Sequence, residues 1–456
     1  MKKKKVKTEK SLPGYFIPAW GAQAVSYSFA FTILGYITYY CTNVVGLSAS
    51  VVGTMLLISK LLDGVTDIIA AIIIERTNSK WGKGRPYVLF MPLAWIFMVL
   101  MFSTPTFGAA GQLVYIFMCY FMVNSVCITL VNAAEPVHLA RSLKNAADSS
   151  TVLSLGGLLS GIAGVIAAIV LPLMITGLGT QTHGWTYICL IFAIPCSLLS
   201  LVRFTAIKEC KNIAENTTCN KERKKFGLTD AIRVLVANPH ALILIIVQLL
   251  ANVFSGLQSG VSAYYFQYIM GDLNKMSTVS AASGLAMFLI VFAPMLIKKT
   301  SVKTVMYIGM VCGIIGGLLK MIPSIPVLIV AHLFSGVAVI PTGMLLPSLL
   351  IDCMDYNEWK TGERVEGIFG SMNSFAMKLG SGIASVSIGL LLGIVGFEGK
   401  AATQTIAAND MINALFSWST ALIFFLMIVV FHFYRIDKEI PRVRKELEER
   451  RSTSAK

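Results

Sequence analysis

Charged residues are scarce in this sequence, and their scarcity excludes most classes of soluble protein. Only 13% of the 456 residues are Asp, Glu, Lys or Arg, whereas soluble domains carry about 25%. Hydrophobic residues make up 55% of the chain, and the mean hydropathy is +0.72. The apolar runs reach about 20 residues or more, the length that a helix needs to cross a bilayer core. Because the alternation typical of a transmembrane barrel is absent, the sequence predicts an all-α membrane protein.

Cysteine pairs, metal-ligand spacings and catalytic motifs are also missing. The nine cysteines are scattered without a CxxC pair, so reduced thiols are expected. The five histidines show no ligand spacing and are expected to be structural. The segment GKGRP (82–86) resembles a phosphate loop only superficially, because it lacks the GxxxxGK[ST] spacing. The sequence therefore predicts neither an enzyme nor a resident cofactor.

Polar breaks divide the apolar residues into twelve predicted transmembrane helices. The longest break, near 207–238, contains KERKK and separates six spans from six. The predicted spans are 15–41, 50–76, 87–106, 112–137, 152–176, 185–206, 239–268, 277–298, 303–321, 326–351, 366–396 and 410–434.

Lysine and arginine predict the orientation of these helices, since loops rich in both residues stay in the cytoplasm. With the N-terminus inside, all but five of the 38 basic residues fall on the cytoplasmic side. Outside loops hold Lys275, Lys320 and Lys400, and two more, Lys60 and Lys378, lie within spans. This asymmetry places both termini in the cytoplasm and explains the net charge of +15 without a nucleic-acid partner.

The two halves of the chain also repeat. YYCTNVVG (39–46) ends the first span and YYFQYIMG (264–271) ends the seventh, while GGLLSGIAG (156–164) and GSGIASVSIG (380–389) supply small residues to the fifth and eleventh. Small residues let helices approach closely, and matching halves favour a transporter with a midplane site. The predicted domains are a basic tail, a six-helix bundle, a cytoplasmic linker, a second bundle and a cytoplasmic tail: 1–14, 15–206, 207–238, 239–434 and 435–456.

Three ionisable residues lie in the middle of the second span. Lys60, Asp63 and Asp67 are spaced i, i+3 and i+7, so they share one helix face. A charge at this depth costs at least about 2.5–3.5 kcal/mol, so this face is expected to look into a cavity. Two carboxylates one turn apart offer oxygen ligands to a small cation or form a proton-carrying pair. The alternative is a structural ion pair with Lys60, but one lysine does not neutralise two aspartates.

Lys378 is a second charge within a span. The rise per residue of an α-helix places it about 18 Å from the start of the eleventh span. Its polar or small neighbours include Asn373 and Ser374, which are candidates for substrate contacts. We expect Asp63 or Asp67 to pair with Lys378 in a bridge that breaks and re-forms during transport. The alternative role for Lys378 is helix–helix attachment alone.

Further charged residues lie at the cytoplasmic ends of spans. Glu135 precedes Pro136 near the end of the fourth span, where a gating role is expected. Asp352, Asp355 and Arg364 belong to a charged segment after the tenth span, which predicts a salt-bridged cytoplasmic gate.

An ordered set of motifs is similar to one known family. KLLDGVTD (60–67), RTNSKWGKGRPY (76–87) and DCMDYNEWKTGER (352–364) resemble the glycoside–pentoside–hexuronide:cation symporters, and the resemblance covers nearly the whole chain. It implies the major facilitator fold, with two pseudo-symmetric six-helix bundles. It also implies a cation site made by Asp63 and Asp67 with Thr129, and coupling roles for Lys378 and Lys60.

The sugar site implied by the resemblance departs from the family's melibiose-transporting pattern. Tyr27 and Asn132 stand at positions where that pattern has aspartates, and no basic residue matches its fifth-helix arginine. Tyrosine and asparagine still hydrogen-bond hydroxyl groups and, for tyrosine, stack on a sugar face.

The sequence therefore predicts a symporter of a sugar or glycoside, coupled to Na⁺, H⁺ or Li⁺, that works as a monomer by alternating access. Its expected location is the plasma membrane, the inner membrane of a bacterium, with the lipid bilayer as its surroundings. Two other functions are consistent with the residues. One is an uncoupled facilitator or exchanger of a non-sugar solute, and the other is a non-transporting glycoside sensor of the same fold.

Overall fold

The computed structural model describes residues 13–454 apart from 107, 144–145, 180, 182, 210–237, 289–298, 341–342, 344, 363–365 and 402. Within the described ranges the chain is helical, and the sole strand-like feature there is an isolated bridge between Ser79 and Gly82. The prediction of an all-α fold is confirmed. Most of the basic tail, most of the linker and Arg364 lie outside the described residues.

The described residues pack into two compact units. One contains those of Met1–Leu34 and Leu62–Lys221, and the other those of Gly35–Leu61 and Glu222–Lys456. The end of the first predicted span and the start of the second therefore pack with the second unit, whereas the sequence assigned all of 15–206 to one bundle. The predicted bundle boundaries stay a prediction.

The described helices of the first unit are α1 Phe16–Leu34, α3 Phe90–Met101, α4 Ala109–Phe121, α5 Thr129–Ser142, α6 Ala146–Leu178 and α7 Gly184–Ala206, together with the C-terminal part of α2 Ala49–Arg76. A π-helical turn, Met122–Ile128, lies between α4 and α5. The unit is built mainly around α1, which packs against α6 and α7.

The described helices of the second unit include α8 Pro239–Tyr264, α9 Asn274–Phe288, α10 Val302–Leu319, α11 Ile325–Ile340, α12 Leu346–Thr361, α13 Glu366–Ile394, α14 Ile406–Asn413, α15 Ser419–His432 and α16 Ile440–Ser454. Among them α8 packs on α13, and α10 packs on both α11 and α15. The described part of this unit also contains π-helical turns at Tyr40–Val45, Tyr265–Ile269 and Ala414–Trp418.

Helical segments occur at all twelve predicted span positions. Seven of the described segments are long and apolar enough to cross a membrane by themselves: Ala109–Ser142, Thr151–Leu178, Gly184–Ala206, Pro239–Ile269, Val302–Leu319, Met372–Ile394 and Ile406–His432. The chain is thus a multi-pass membrane protein, while the count of twelve and the cytoplasmic position of the termini stay predictions.

The small-residue segments lie at close helix contacts, as the sequence predicts. A Cβ on Gly156 of α6 would lie 3.2 Å from the side chain of Trp20, and one on Gly164 would lie 3.0 Å from Ser28 Oγ. On α13, a Cβ on Gly380 would lie 2.5 Å from the carbonyl oxygen of Leu249 in α8.

Candidate functional site

The charged segment of the second span lies within one uninterrupted helix, α2. Large apolar residues at helical spacing are exposed on one side, where they suit a lipid environment: Leu61, Val65, Ile68, Ile69, Ile72 and Ile73. Asp63 lies on the protected side and is only 3% exposed, while Lys60 and Asp67 are partly buried. The helix therefore keeps its charges away from the apolar stripe, which is the arrangement that periodicity predicts.

A serine from the neighbouring π-helical turn contacts the most buried of these charges. The hydroxyl of Ser125 donates a hydrogen bond to Oδ1 of Asp63. Ser125 is 1% exposed, so both partners are shielded from solvent. A buried carboxylate requires such partners, because removing it from water without them is costly. Sequence reasoning missed Ser125, since a serine in an apolar run carries no signal of its own.

Thr129, the predicted third member of the cation site, is buried at the first residue of α5. Its hydroxyl donates a hydrogen bond to the carbonyl oxygen of Asn124, five residues earlier, at 3.1 Å. That spacing reflects the π-helical turn, in which backbone hydrogen bonds also span five residues. π-Helical turns inside α-helices occur frequently at functional sites.

The two predicted sugar-binding residues of the first unit differ in exposure. Tyr27 on α1 is partly buried, and its ring stacks on Phe31 with 6.4 Å between centroids. Asn132 on α5 is exposed. Neither side chain makes a hydrogen bond to another residue in the described part of the chain.

The predicted residues of the eleventh span lie on α13 in the second unit. Lys378 is partly buried and Ser374 is exposed. Asn373 directs its Nδ2 to the sulfur of Met377 at 3.9 Å, and its buried Oδ1 has no hydrogen-bond partner among the described residues. An orphaned amide oxygen is an acceptor for a ligand hydroxyl.

Glu135, the predicted gate residue of the first unit, pairs with an arginine from α7. Arg203 Nη1 lies 3.1 Å from Glu135 Oε1, and the Arg203 side chain is 2% exposed. The guanidinium group also lies over the Trp20 ring, 3.5 Å from its centroid. This cation–π contact and the ion pair together attach the C-terminal half of α5 to α1 and α7.

Asp352 and Asp355, the predicted gate residues of the second unit, are joined to the C-terminal helix. Arg444 of α16 donates from Nη2 to Asp352 Oδ1 at 2.7 Å, and its Nε lies 3.4 Å from Asp355 Oδ2. Burial raises the pKa of the Asp352 carboxyl, and the positive charge of Arg444 opposes that shift. The sequence predicts that these aspartates form salt bridges within their own loop. It does not show that Arg444, which is 89 or more residues away along the chain, lies close to them.

Comparison with known proteins gives a family match over most of the chain and several relatives. A family described as MFS/sugar transport protein matches residues 14–438. The isoprimeverose transporter of Lactiplantibacillus pentosus is 28% identical over 428 aligned positions, and the alignment covers 91% of this chain and 87% of that protein. The glucuronide carrier protein homolog of Escherichia coli (strain K12) is 27% identical over 413 aligned positions, and the alignment covers 85% of this chain and 84% of that protein.

Solved structures show the same fold at low identity. The xylose transporter XylE from E. coli, in a partially occluded inward-open conformation, superposes with a TM-score of 0.58. The two sequences are 16% identical, and the alignment covers 92% of this chain and 98% of that one.

Proposed function

The chain belongs to the MFS/sugar transport protein family, the glycoside–pentoside–hexuronide:cation symporters, and from this membership we propose that it is a cation-coupled symporter of a sugar or glycoside. It is a multi-pass membrane transporter and not an enzyme. The bacterial inner membrane is the proposed location, because one relative is named an inner membrane symporter.

The observation that carries the coupling proposal is the buried carboxylate of Asp63. Its position on α2, one helical turn before Asp67, supplies negatively charged oxygen ligands deep within an apolar helix. We propose that Na⁺ or H⁺, or Li⁺, binds at Asp63, Asp67 and Thr129, and that Lys378 and Lys60 provide the positive charge that the cation displaces. Neutralising the site then permits alternating access.

The energy available to such a symporter is sufficient for nutrient uptake. One charge moving across 100 mV supplies about 2.3 kcal/mol. A tenfold cation gradient adds about 1.4 kcal/mol. Coupled to one sugar molecule, the two terms support accumulation of roughly 500-fold.

The proposed substrate is a sugar or glycoside. Tyr27 offers an aromatic face and a hydroxyl, and Asn132 and Asn373 offer amide groups, with Ser374 and Lys378 as further polar groups on α13. These groups suit sugar hydroxyls. The named substrates of relatives, isoprimeverose and glucuronides, are the first to test.

We propose that Glu135, Asp352 and Asp355 act in cytoplasmic gating. Their partners Arg203 and Arg444 lie on other helices, so movement of those helices breaks the ion pairs. Arg364 stays a sequence prediction for the same gate.

The test is uptake of radiolabelled isoprimeverose and a glucuronide into membrane vesicles under imposed Na⁺ or H⁺ gradients. We expect gradient-driven accumulation by the wild type and its loss in Asp63→Asn, with entry only to the external concentration. Asp410→Asn, which changes an exposed carboxylate on α14, is the matched control and should accumulate normally. Accumulation that Asp63→Asn leaves intact would exclude this coupling mechanism.

One relative supports a second candidate, the export or exchange of a non-sugar solute. A protein of Escherichia coli (strain K12) named as a putative 2,3-dihydroxypropane-1-sulfonate exporter is 24% identical over 431 residues. Vesicles loaded with this sulfonate distinguish the two functions, because an exporter releases it while a sugar symporter retains it.

A further inference from the structure

Ser125 holds an unusual position for a serine in a membrane helix. Serine hydroxyls in helices commonly bond to the carbonyl oxygen one turn earlier, which satisfies them locally. Ser200 on α7 does so, donating to the carbonyl oxygen of Cys196 at 3.1 Å. Ser125 instead donates to Asp63 on a different helix, although it is just as deeply buried.

The π-helical turn accounts for this difference between the two serines. It inserts one residue into the helical register over Met122–Ile128 and changes the direction of the side chains that follow. Thr129 then reaches back to the Asn124 carbonyl, and its hydroxyl makes no hydrogen bond to Asp63 within the described ranges. The turn thus presents Ser125 to the carboxylate.

We infer that Ser125 is a ligand of the co-transported cation and favours an alkali-metal ion over a proton; this inference rests on the proposed symport. A hydroxyl group has one hydrogen and two lone pairs, so Ser125 donates to Asp63 and still has an oxygen lone pair for a metal ion. Na⁺ and Li⁺ are hard cations that need several oxygen ligands at once, like other hard cations. A proton is bound by a single carboxylate oxygen and needs no further oxygen ligands.

The experiment measures binding of radioactive Na⁺ to the purified full-length protein in detergent, with Li⁺ as competitor. We expect Ser125→Ala to weaken Na⁺ binding about tenfold, the order expected when one interaction with a charged group is lost. Ser125→Thr keeps the hydroxyl and should restore most of the affinity. Ser200→Ala removes a buried hydroxyl that faces its own helix, and it should bind Na⁺ like the wild type.

A second measurement separates a ligand from a merely structural residue. In vesicles, Ser125→Ala should lose Na⁺-driven accumulation more than H⁺-driven accumulation, whereas a folding defect lowers both equally. Unchanged Na⁺ affinity in Ser125→Ala, or wild-type protein that couples to H⁺ and does not bind Na⁺, overturns the role of Ser125 and leaves symport standing. Wild-type uptake that no gradient drives overturns the proposed symport itself.

Discussion

The hydroxyl groups of Thr42 and Tyr264 lie 2.7 Å apart, so one of them donates a hydrogen bond to the other. The two residues belong to the two copies of the repeated motif, and each copy continues into a π-helical turn and closes with a left-handed glycine, Gly46 or Gly271. Left-handed backbone is where glycine is favoured over other residues. A side-chain hydrogen bond therefore joins the two copies of the repeated motif within the second unit.

Removing the Tyr264 hydroxyl tests how much this contact stabilises the protein. Tyr264→Phe should lower stability by about 1 kcal/mol, because one buried hydrogen bond is lost while Thr42 still bonds to the Thr38 carbonyl. Tyr264→Ala should cost about 3–5 kcal/mol, because the ring also packs on Tyr39. Apparent melting temperatures measured in detergent show whether Tyr264→Ala is less stable than Tyr264→Phe. Tyr187→Phe, at a half-exposed tyrosine, is the control and should have the melting temperature of the wild type. If the two Phe variants lower the melting temperature equally, the Thr42–Tyr264 hydrogen bond does not stabilise the protein as expected.

Replacing Gly389 on α13 tests whether α13 and α2 pack as closely as the structure shows. A Cβ there would lie 2.5 Å from the carbonyl oxygen of Ala49 and 2.6 Å from Cα of Gly53, both backbone atoms that cannot turn aside. We expect Gly389→Ala to destabilise the protein by about 1–3 kcal/mol through overpacking. Gly370→Ala is the control on the same helix, because nothing lies within 4 Å of its Cβ position. It should be neutral or stabilising, since alanine favours helix over glycine by about 1 kcal/mol.

Much of this fold follows from the sequence for a simple physical reason. A helix must satisfy its backbone hydrogen bonds internally to cross a bilayer, so apolar runs mark helices directly. The protected face of α2 was predictable as well, because charges at i, i+3 and i+7 cannot face lipid together. The exposure of Leu61 and Val65 opposite the buried Asp63 follows from the same spacing.

The contacts of the candidate site were less predictable. A π-helical turn adds one residue to the register, so 3.6-residue periodicity does not identify Ser125 as the partner of Asp63. Lys320 was expected in a polar outside loop, yet it is 1% exposed. Its Nζ donates to Gln258 Oε1 at 2.5 Å and lies 5.0 Å from the centroid of the Phe416 ring. The hydropathy of the sequence alone does not distinguish a lysine exposed to water from a lysine at a helix end that packs on aromatic side chains.

The pairing of Arg444 with Asp352 predicts a pH-dependent effect. Burial raises the folded-state pKa of Asp352, so its ionisation destabilises the folded protein, and that penalty disappears as the pH falls through the folded-state pKa. Arg444→Gln removes the opposing charge and should lower stability by about 1–3 kcal/mol near pH 8. The apparent melting temperature of Arg444→Gln should therefore fall below that of the wild type by less at pH 5 than at pH 8.

The double variant Arg444→Gln with Asp352→Asn is the control for this pH effect. It has no carboxyl group at position 352 to ionise, so its deficit should depend less on pH than that of Arg444→Gln alone. Equal pH dependence in both variants would show that Asp352 is not the titrating group.

The loop GKGRP binds a carboxylate although it lacks the phosphate-loop spacing. The backbone N–H groups of Gly84 and Arg85 donate to Glu209 Oε1 at 2.8 and 2.6 Å, and that of Lys83 donates to Oε2 at 2.8 Å. The Glu209 side chain is 4% exposed, and Arg141 Nη1 lies 4.0 Å from it. Successive backbone N–H groups that converge in this way form an anion-binding concavity. Glu209 thereby attaches the segment that follows α7 to the loop that follows α2.

Glu209→Gln tests whether this attachment depends on the negative charge. The amide keeps one acceptor oxygen for Gly84 and Arg85 but leaves the Lys83 N–H without its acceptor and Arg141 without its counter-charge. We expect a loss of about 1.5–3 kcal/mol in stability, the range for hydrogen bonds to a charged group. Glu209→Ala should lose more. Glu448→Gln, at an exposed glutamate of α16, makes the same chemical change without these donors and should leave the melting temperature unchanged. A similar shift in both glutamine variants would mean that the loop does not hold Glu209 through its charge.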